Sequence, residues 1–173
     1  ARYGAIYHFE DLEDATGNNN DGSNNGSVSG NGLIGSGRNF DGSNDYIQVN
    51  NSSTVDISGD QISISLWFNA DNNSNDPAFV VKGNSTNQEQ YMLGIDNPTS
   101  SNTLNHRVTT NTGHYRDNQF AITNGRWYMV TFVYDANQGN PRKRLYVDGQ
   151  LVATANASGD LISTNAPMLI GRR

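Results

Sequence analysis

Residues 10–25 of this 173-residue chain run Glu10-Asp11-Leu12-Glu13-Asp14-Ala15-Thr16-Gly17-Asn18-Asn19-Asn20-Asp21-Gly22-Ser23-Asn24-Asn25, an unusual density of oxygen donors. A hard cation such as calcium takes about six to eight oxygens from carboxylates, side-chain amides and carbonyls on flexible loops. The i, i+2 spacing from Asp14 to Asn20, with Gly17 for a sharp bend, could wrap one ion. The spacing is not that of an EF-hand, and no Gly-Gly-x-Gly-x-Asp repeat occurs. The other reading of the same residues is a loop whose Asn and Asp side chains satisfy their own turn backbones.

A second chemistry is spread over residues 105–118, Asn105-His106-Arg107-Val108-Thr109-Thr110-Asn111-Thr112-Gly113-His114-Tyr115-Arg116-Asp117-Asn118. Sugar recognition needs a flat apolar surface for the C–H side of a pyranose, with amides, carboxylates or guanidinium groups for its hydroxyls. His114, Tyr115 and Arg116 cluster beside a glycine and read as a loop, and Tyr91 reads as an exposed aromatic on a neighbouring strand. Trp67, Phe68, Trp127, Phe132 and Tyr146 lie on alternating segments and read as packing residues. His106 and His114 lack the companion ligands of a zinc site, and His8, between Tyr7 and Phe9, is expected to face solvent or a neighbouring loop. A retaining glycosidase needs two carboxyl groups about 5 Å apart. Glu10-Asp11-Leu12-Glu13 has the wrong order for that, Glu89 stands alone, Asp148 belongs to a turn, and no Gly-x-Ser-x-Gly elbow exists. No residue is assigned a catalytic role.

The elements that must position these groups are strands. Arg144-Leu145-Tyr146-Val147-Asp148-Gly149-Gln150-Leu151-Val152-Ala153 alternates around an Asp-Gly pair, the signal of a two-residue hairpin. Asn124 to Asp135 is a second alternating strand, and Pro167-Met168-Leu169-Ile170-Gly171 a short apolar one. Toward the N-terminus, Ala5-Ile6-Tyr7-His8-Phe9-Glu10 reads as a strand, Phe40-Asp41-Gly42-Ser43-Asn44-Asp45-Tyr46 as a turn, and Ile62 to Phe68 as a central strand. No amphipathic helix of three turns is found, so the expected class is all-β, an antiparallel two-sheet jelly-roll sandwich.

The ordered set of a G-x-W strand, an L-Y-V-D-G hairpin, an L-I-G strand, the F-D-G-x-N-D-Y turn and the x-I-S-x-W-F strand resembles the concanavalin A-like, laminin-G-like lectin domains over nearly the whole chain. The resemblance implies a single domain over residues 1–173 that binds carbohydrate, of neutral glucose type, with help from calcium. Matched residue by residue, it implies Asp14, Asn18, Asn20 and Asp41 as calcium ligands. The pentraxin branch of the fold adds the polar loop from Lys82 to Tyr91, with Asn87 and Glu89 as ligand contacts. Carbohydrate contacts are therefore expected at Asn87, Glu89, Tyr91, His114, Tyr115 and Arg116. Laminarinase-like relatives carry Glu-x-Asp-x-(x)-Glu within a strand, which is absent here, so a binding module is expected rather than an enzyme. A calcium-stiffened spacer without ligand is the alternative. Relatives continue past L-I-G into a last strand, and this chain ends at Arg173, so residues 5–10 are expected to present a bare edge.

Formal net charge is −6, which argues against nucleic acid, whose phosphates demand a basic stripe. The run Arg142-Lys143-Arg144 is expected to be a solvated strand edge. Hydrophobic residues make up only 34%, as in a thin sandwich whose loops bury little. The chain has no cysteine and no bilayer-length apolar run. These features, with the resemblance, place it as a monomeric extracellular or cell-surface module of a larger adhesin or polysaccharide-acting enzyme, without membrane insertion.

Overall fold

The computed structural model describes residues 3–71, 76–83, 89–96 and 102–172, and these form strands and no helix. In chain order the strands are β1 (Gly22–Asn25), β2 (Val28–Asn31), β3 (Ser36–Asn39), β4 (Tyr46–Val49), β5 (Gln61–Asn69), β6 (Ala78–Lys82), β7 (Tyr91–Asp96), β8 (Thr103–Thr110), β9 (Gly113–Ala121), β10 (Trp127–Asp135), β11 (Lys143–Val147), β12 (Gln150–Ala155) and β13 (Met168–Arg172). A seven-stranded sheet runs β1-β4-β13-β6-β7-β8-β9 and a four-stranded sheet β12-β11-β10-β5, with β2-β3 a separate hairpin. Every pairing among them is antiparallel. The expected all-β sandwich is the fold observed.

Period-two alternation decides what each strand buries. Leu93, Ile95, Leu104 and Val108 of the larger sheet and Val130, Phe132, Tyr134 and Leu145 of the smaller one have no solvent exposure and belong to one core. Each such side chain stabilises the fold by about 1.5–3 kcal/mol. Asp148 and Gly149 both take positive φ, 50° and 79°, the geometry of a type I′ turn between β11 and β12. Gly171 explains why the L-I-G and F-D-G segments travel together. Its φ is +72°, and a Cβ there would sit 2.2 Å from the Phe40 ring, which packs against bare backbone.

The structure corrects several expectations, for the same period-two reason. Residues 5–10 form no ladder, because the Ile6 N–H donates to Asp14 Oδ1 and the Ile6 carbonyl accepts from Ala15 N–H. The larger sheet ends instead at β1 and β9. Trp67 is 46% exposed, since Leu66 and Phe68 take the inward positions of β5, and Trp127 and Tyr146 are only half-buried. His114, Tyr115 and Arg116, expected in a loop, lie on β9 of a β8–β9 hairpin. Lys143 is not on a solvated edge: β11 lies between β12 and β10, and alternation turns Lys143 inward with Leu145 and Val147. Its ammonium is buried and donates to Asp117 Oδ2 and to the carbonyls of His106 and Tyr115 at 3.2 and 3.1 Å. His106, also inward, lies over Phe132 with ring centroids 4.9 Å apart, and among the described residues neither ring nitrogen makes a well-formed hydrogen bond. Burial, with the Lys143 cation beside it, lowers its pKa to about 3, so the imidazole is neutral. His8 is exposed, as expected.

Candidate functional site

The opposite side of β7, β8 and β9 faces away from the smaller sheet and collects polar groups. Cross-strand register places Gly94, Asn105 and Asn118 in one row, Met92, Arg107 and Arg116 in the next, and Thr109 beside His114. Asp96 shares that side at the end of β7. Its Oδ2 accepts from Arg116 Nη2, from Asn118 Nδ2 and, at 3.0 Å, from Asn105 Nδ2. Asn105 Oδ1 accepts from Arg107 Nε at 2.9 Å, and Arg107 Nη1 reaches Glu89 Oε1 at 3.2 Å. Glu89 is anchored through its carbonyl, which accepts from Thr109 Oγ1 at 2.5 Å. The next residue, Gln90, is fully buried and donates to Asp56, Ile57 and Ile162. The Thr109 hydroxyl proton goes to Glu89, so His114 must donate from Nδ1 across 2.7 Å, which leaves its Nε2 an acceptor when neutral.

One continuous network therefore runs Glu89, Arg107, Asn105, Asp96, Arg116, with Asn118 closing it. Burial pulls the Asp96 pKa upward, and hydrogen bonds from Arg116, Asn118 and Asn105 outweigh it, so the carboxyl titrates below its ordinary range. Despite these bonds, Asp96 Oδ1 and Glu89 Oε2 are buried with no hydrogen-bond partner among the described residues. Asp96 is 0% exposed and Glu89 7%. An unsatisfied buried acceptor costs about 1–3 kcal/mol, more when charged, and such groups concentrate where a ligand completes them.

Of the expected contacts, Glu89, His114 and Arg116 come together on this face. Tyr115 does not: alternation sends it to the core side, where its hydroxyl meets Ser158 Oγ at 2.8 Å and Thr112 Oγ1 at 3.2 Å. Tyr91 is a correction as well. It is 3% exposed and donates to the Val55 carbonyl at 2.8 Å, so it offers no stacking surface. Asn87 lies outside the described residues. Asp96 was not among the expected contacts, and Asn105, Arg107 and Asn118 were named only as members of the 105–118 segment. Their signal was present in Asn105-x-Arg107-x-Thr109 and His114-x-Arg116-x-Asn118, two period-two polar runs flanking Gly113, legible once the segment is read as a hairpin.

Residues 41–173 match the family described as the concanavalin A-like lectin/glucanases superfamily. The chain belongs to that superfamily. No curated protein matches it in sequence. Among solved structures it is similar to domain 4 of AbnA, a GH43 extracellular arabinanase from Geobacillus stearothermophilus, in complex with arabinotriose. The TM-score is 0.70 at 17% identity, over 94% of this chain and 79% of that one. It is also similar to the CBM40 of a Ruminococcus gnavus IT-sialidase bound to α2,3-sialyllactose, with TM-score 0.50 at 18% identity, over 69% of this chain and 67% of that one. At such identities the likeness establishes the fold that this superfamily member shares with two carbohydrate-bound domains.

The calcium ligands expected of a concanavalin A-like domain are engaged otherwise. Asp14 is 8% exposed. Its Oδ1 accepts from Ile6 N–H at 3.0 Å and Thr16 N–H at 2.9 Å, and its Oδ2 from Thr16 Oγ1 at 2.7 Å and Asn20 N–H at 3.2 Å. Asn20 donates to the Gly4 carbonyl and Thr54 Oγ1 and accepts from Ser52 Oγ, and Asn18 donates to the carbonyls of Tyr3 and Gly4. Asp41 belongs to a different turn, where its Oδ1 accepts from the N–H groups of Ser43, Asn44 and Asp45. Among the described residues no three His, Asp or Glu side chains gather in one place. All four side chains brace turns and loops, Asp41 in a turn of its own.

Proposed function

We propose that this domain is a non-catalytic carbohydrate-binding module that holds a saccharide against the outer face of β7–β9. The observation that carries the reading is the pair of buried, unpartnered carboxylate oxygens, Glu89 Oε2 and Asp96 Oδ1, at the two ends of the Arg107–Asn105 bridge. Sugar hydroxyls supply the donors such oxygens lack, and Arg116, Asn118 and His114 offer further polar partners at the rim. Membership of a lectin and glucanase superfamily, and likeness in fold to two carbohydrate-bound domains, support the same class.

Hydrolysis is not part of the reading. A general acid at neutral pH needs a raised carboxyl pKa, whereas Asp96 is held low, and Glu89 is tied to Arg107. The module works outside the cell, in an adhesin or a polysaccharide-acting enzyme, and glucose-type polymers are among its ligands. Affinity for a monosaccharide is about 4 kcal/mol, a millimolar dissociation constant, which repetition of modules raises by avidity. Affinity electrophoresis in gels containing laminarin, dextran or arabinan tests the reading. Retardation of the wild type, lost on Arg107→Leu in a folded variant, is the expected result. No retardation by any glycan leaves a structural spacer.

A further inference from the structure

On that reading of the outer face, we infer that the site selects uncharged saccharides and excludes carboxylated ones, with Glu89 and Asp96 as the residues that set this preference. The argument rests on where each charge already ends. Arg107 is 6% exposed and pairs with Glu89 Oε1, and Arg116 pairs with Asp96 Oδ2. Each guanidinium thus has its own carboxylate within hydrogen-bonding reach, and among the described residues this network carries two positive and two negative groups. Among the described residues the buried atoms of this face without a partner are acceptor oxygens, Glu89 Oε2 and Asp96 Oδ1, while Arg116, with 37% of its side chain exposed, stands at the rim with its charge already paired to Asp96. A hydroxyl donates a proton to such an oxygen. A uronate or sialate carboxylate brings only acceptors and a second negative charge, and like charges in a buried setting repel strongly.

The geometry also determines what an isosteric change would do. Three donors, from Arg116, Asn118 and Asn105, converge on Asp96 Oδ2. In Asp96→Asn those donors require the amide oxygen at that position, so the NH2 group takes the place of the vacant oxygen. An acceptor becomes a donor, and Arg116 loses its compensating charge. Glu89→Gln acts alike, because Arg107 Nη1 holds the Oε1 position. Both changes keep shape, so the network persists while its sign preference reverses.

The experiment compares neutral polymers (laminarin, dextran, arabinan) with acidic ones (alginate, polygalacturonate) and sialyllactose, by calorimetry and affinity electrophoresis at low salt. Wild type is expected to bind at least one neutral polymer and none of the acidic ligands. Glu89→Gln/Asp96→Asn is expected to bind that neutral polymer at least tenfold more weakly and to gain retention on an acidic polymer, released by about 0.5 M salt. Equal or tighter binding of acidic ligands by wild type overturns the selectivity while leaving carbohydrate binding intact, and this arm needs no variant. Unchanged neutral binding in the folded double variant overturns the residue assignment. Binding of nothing by wild type overturns the carbohydrate reading itself, and the selectivity with it.

Discussion

The two sides of the β8–β9 hairpin hold similar residues in opposite states. Inward, Lys143 fills its ammonium with Asp117 and two carbonyls, and His106 meets burial by remaining neutral. Outward, Arg107 and Arg116 are paired, yet each of their carboxylate partners keeps one oxygen buried and unbonded among the described residues. Burial penalises any unmet charge, so an interior either saturates its polar groups or discharges them. A face that keeps ionised acceptors unsaturated is suited to a ligand. The Asp14 loop sharpens the point. It is richer in donors than the outer face, but both Asp14 oxygens are occupied, so it braces the chain.

The largest effect expected of this contrast is a pH dependence from the inward side. His106 has a folded pKa of about 3 against an ordinary 6.5, so the unfolded state takes up its proton first as the solution is acidified. Its contribution is fully present above about pH 6.5 and is lost as pH falls toward 3, about 5 kcal/mol in total. Urea unfolding at several pH values should show wild type losing stability across that window and His106→Phe losing less, by one proton's worth of slope. Identical slopes would mean that His106 is not buried neutral.

Lys143→Met leaves Asp117 without its cation and should lower stability by about 3 kcal/mol, the low end for a broken buried pair because Asp117 retains 28% side-chain exposure. Saccharide binding, measured below the melting transition, should not change, since Lys143 faces the core. A loss of binding equal to that of Arg107→Leu would erase the distinction between the two sides.

Asp14→Ala removes a carboxylate with four donors and should cost about 2–3 kcal/mol, with chelator or without it. Thermal melts in calcium and in EDTA check this. A wild-type shift with calcium that disappears in Asp14→Ala would restore the metal to that loop. The smallest effect belongs to Tyr115→Phe, about 0.5–1 kcal/mol for the hydroxyl that meets Ser158 and Thr112, with unaltered glycan binding. Weakened binding there would return Tyr115 to the site.

How much could be read in advance differed by kind of residue. The Asp148-Gly149 hairpin, the β5 and β10 alternation and the Phe40 and Gly171 segments were legible because backbone geometry and apolar period are local properties. Residues 105–118 were misread because polar side chains on both faces of β8 and β9 hide the period that an apolar core face would display. Glu89, His114 and Arg116, chosen by type, share the outer face, whereas Tyr91 and Tyr115 point toward the core, because type does not tell which way a strand residue points.

The sequence by itself determined an all-β sandwich and its superfamily, since turn chemistry and strand period act between near neighbours. Only the tertiary structure decided which carboxylates are saturated. Asp14 and Asp96 look alike in a list of donors, and their difference depends on groups brought from other strands and loops. Asp14 closes on Ile6, Thr16 and Asn20, whereas Asp96 receives Asn105, Arg116 and Asn118 across two neighbouring strands on one oxygen alone. Hydrogen-bond saturation is a property of packing, so the Asp96 and Glu89 vacancies appear only when the sheet is assembled.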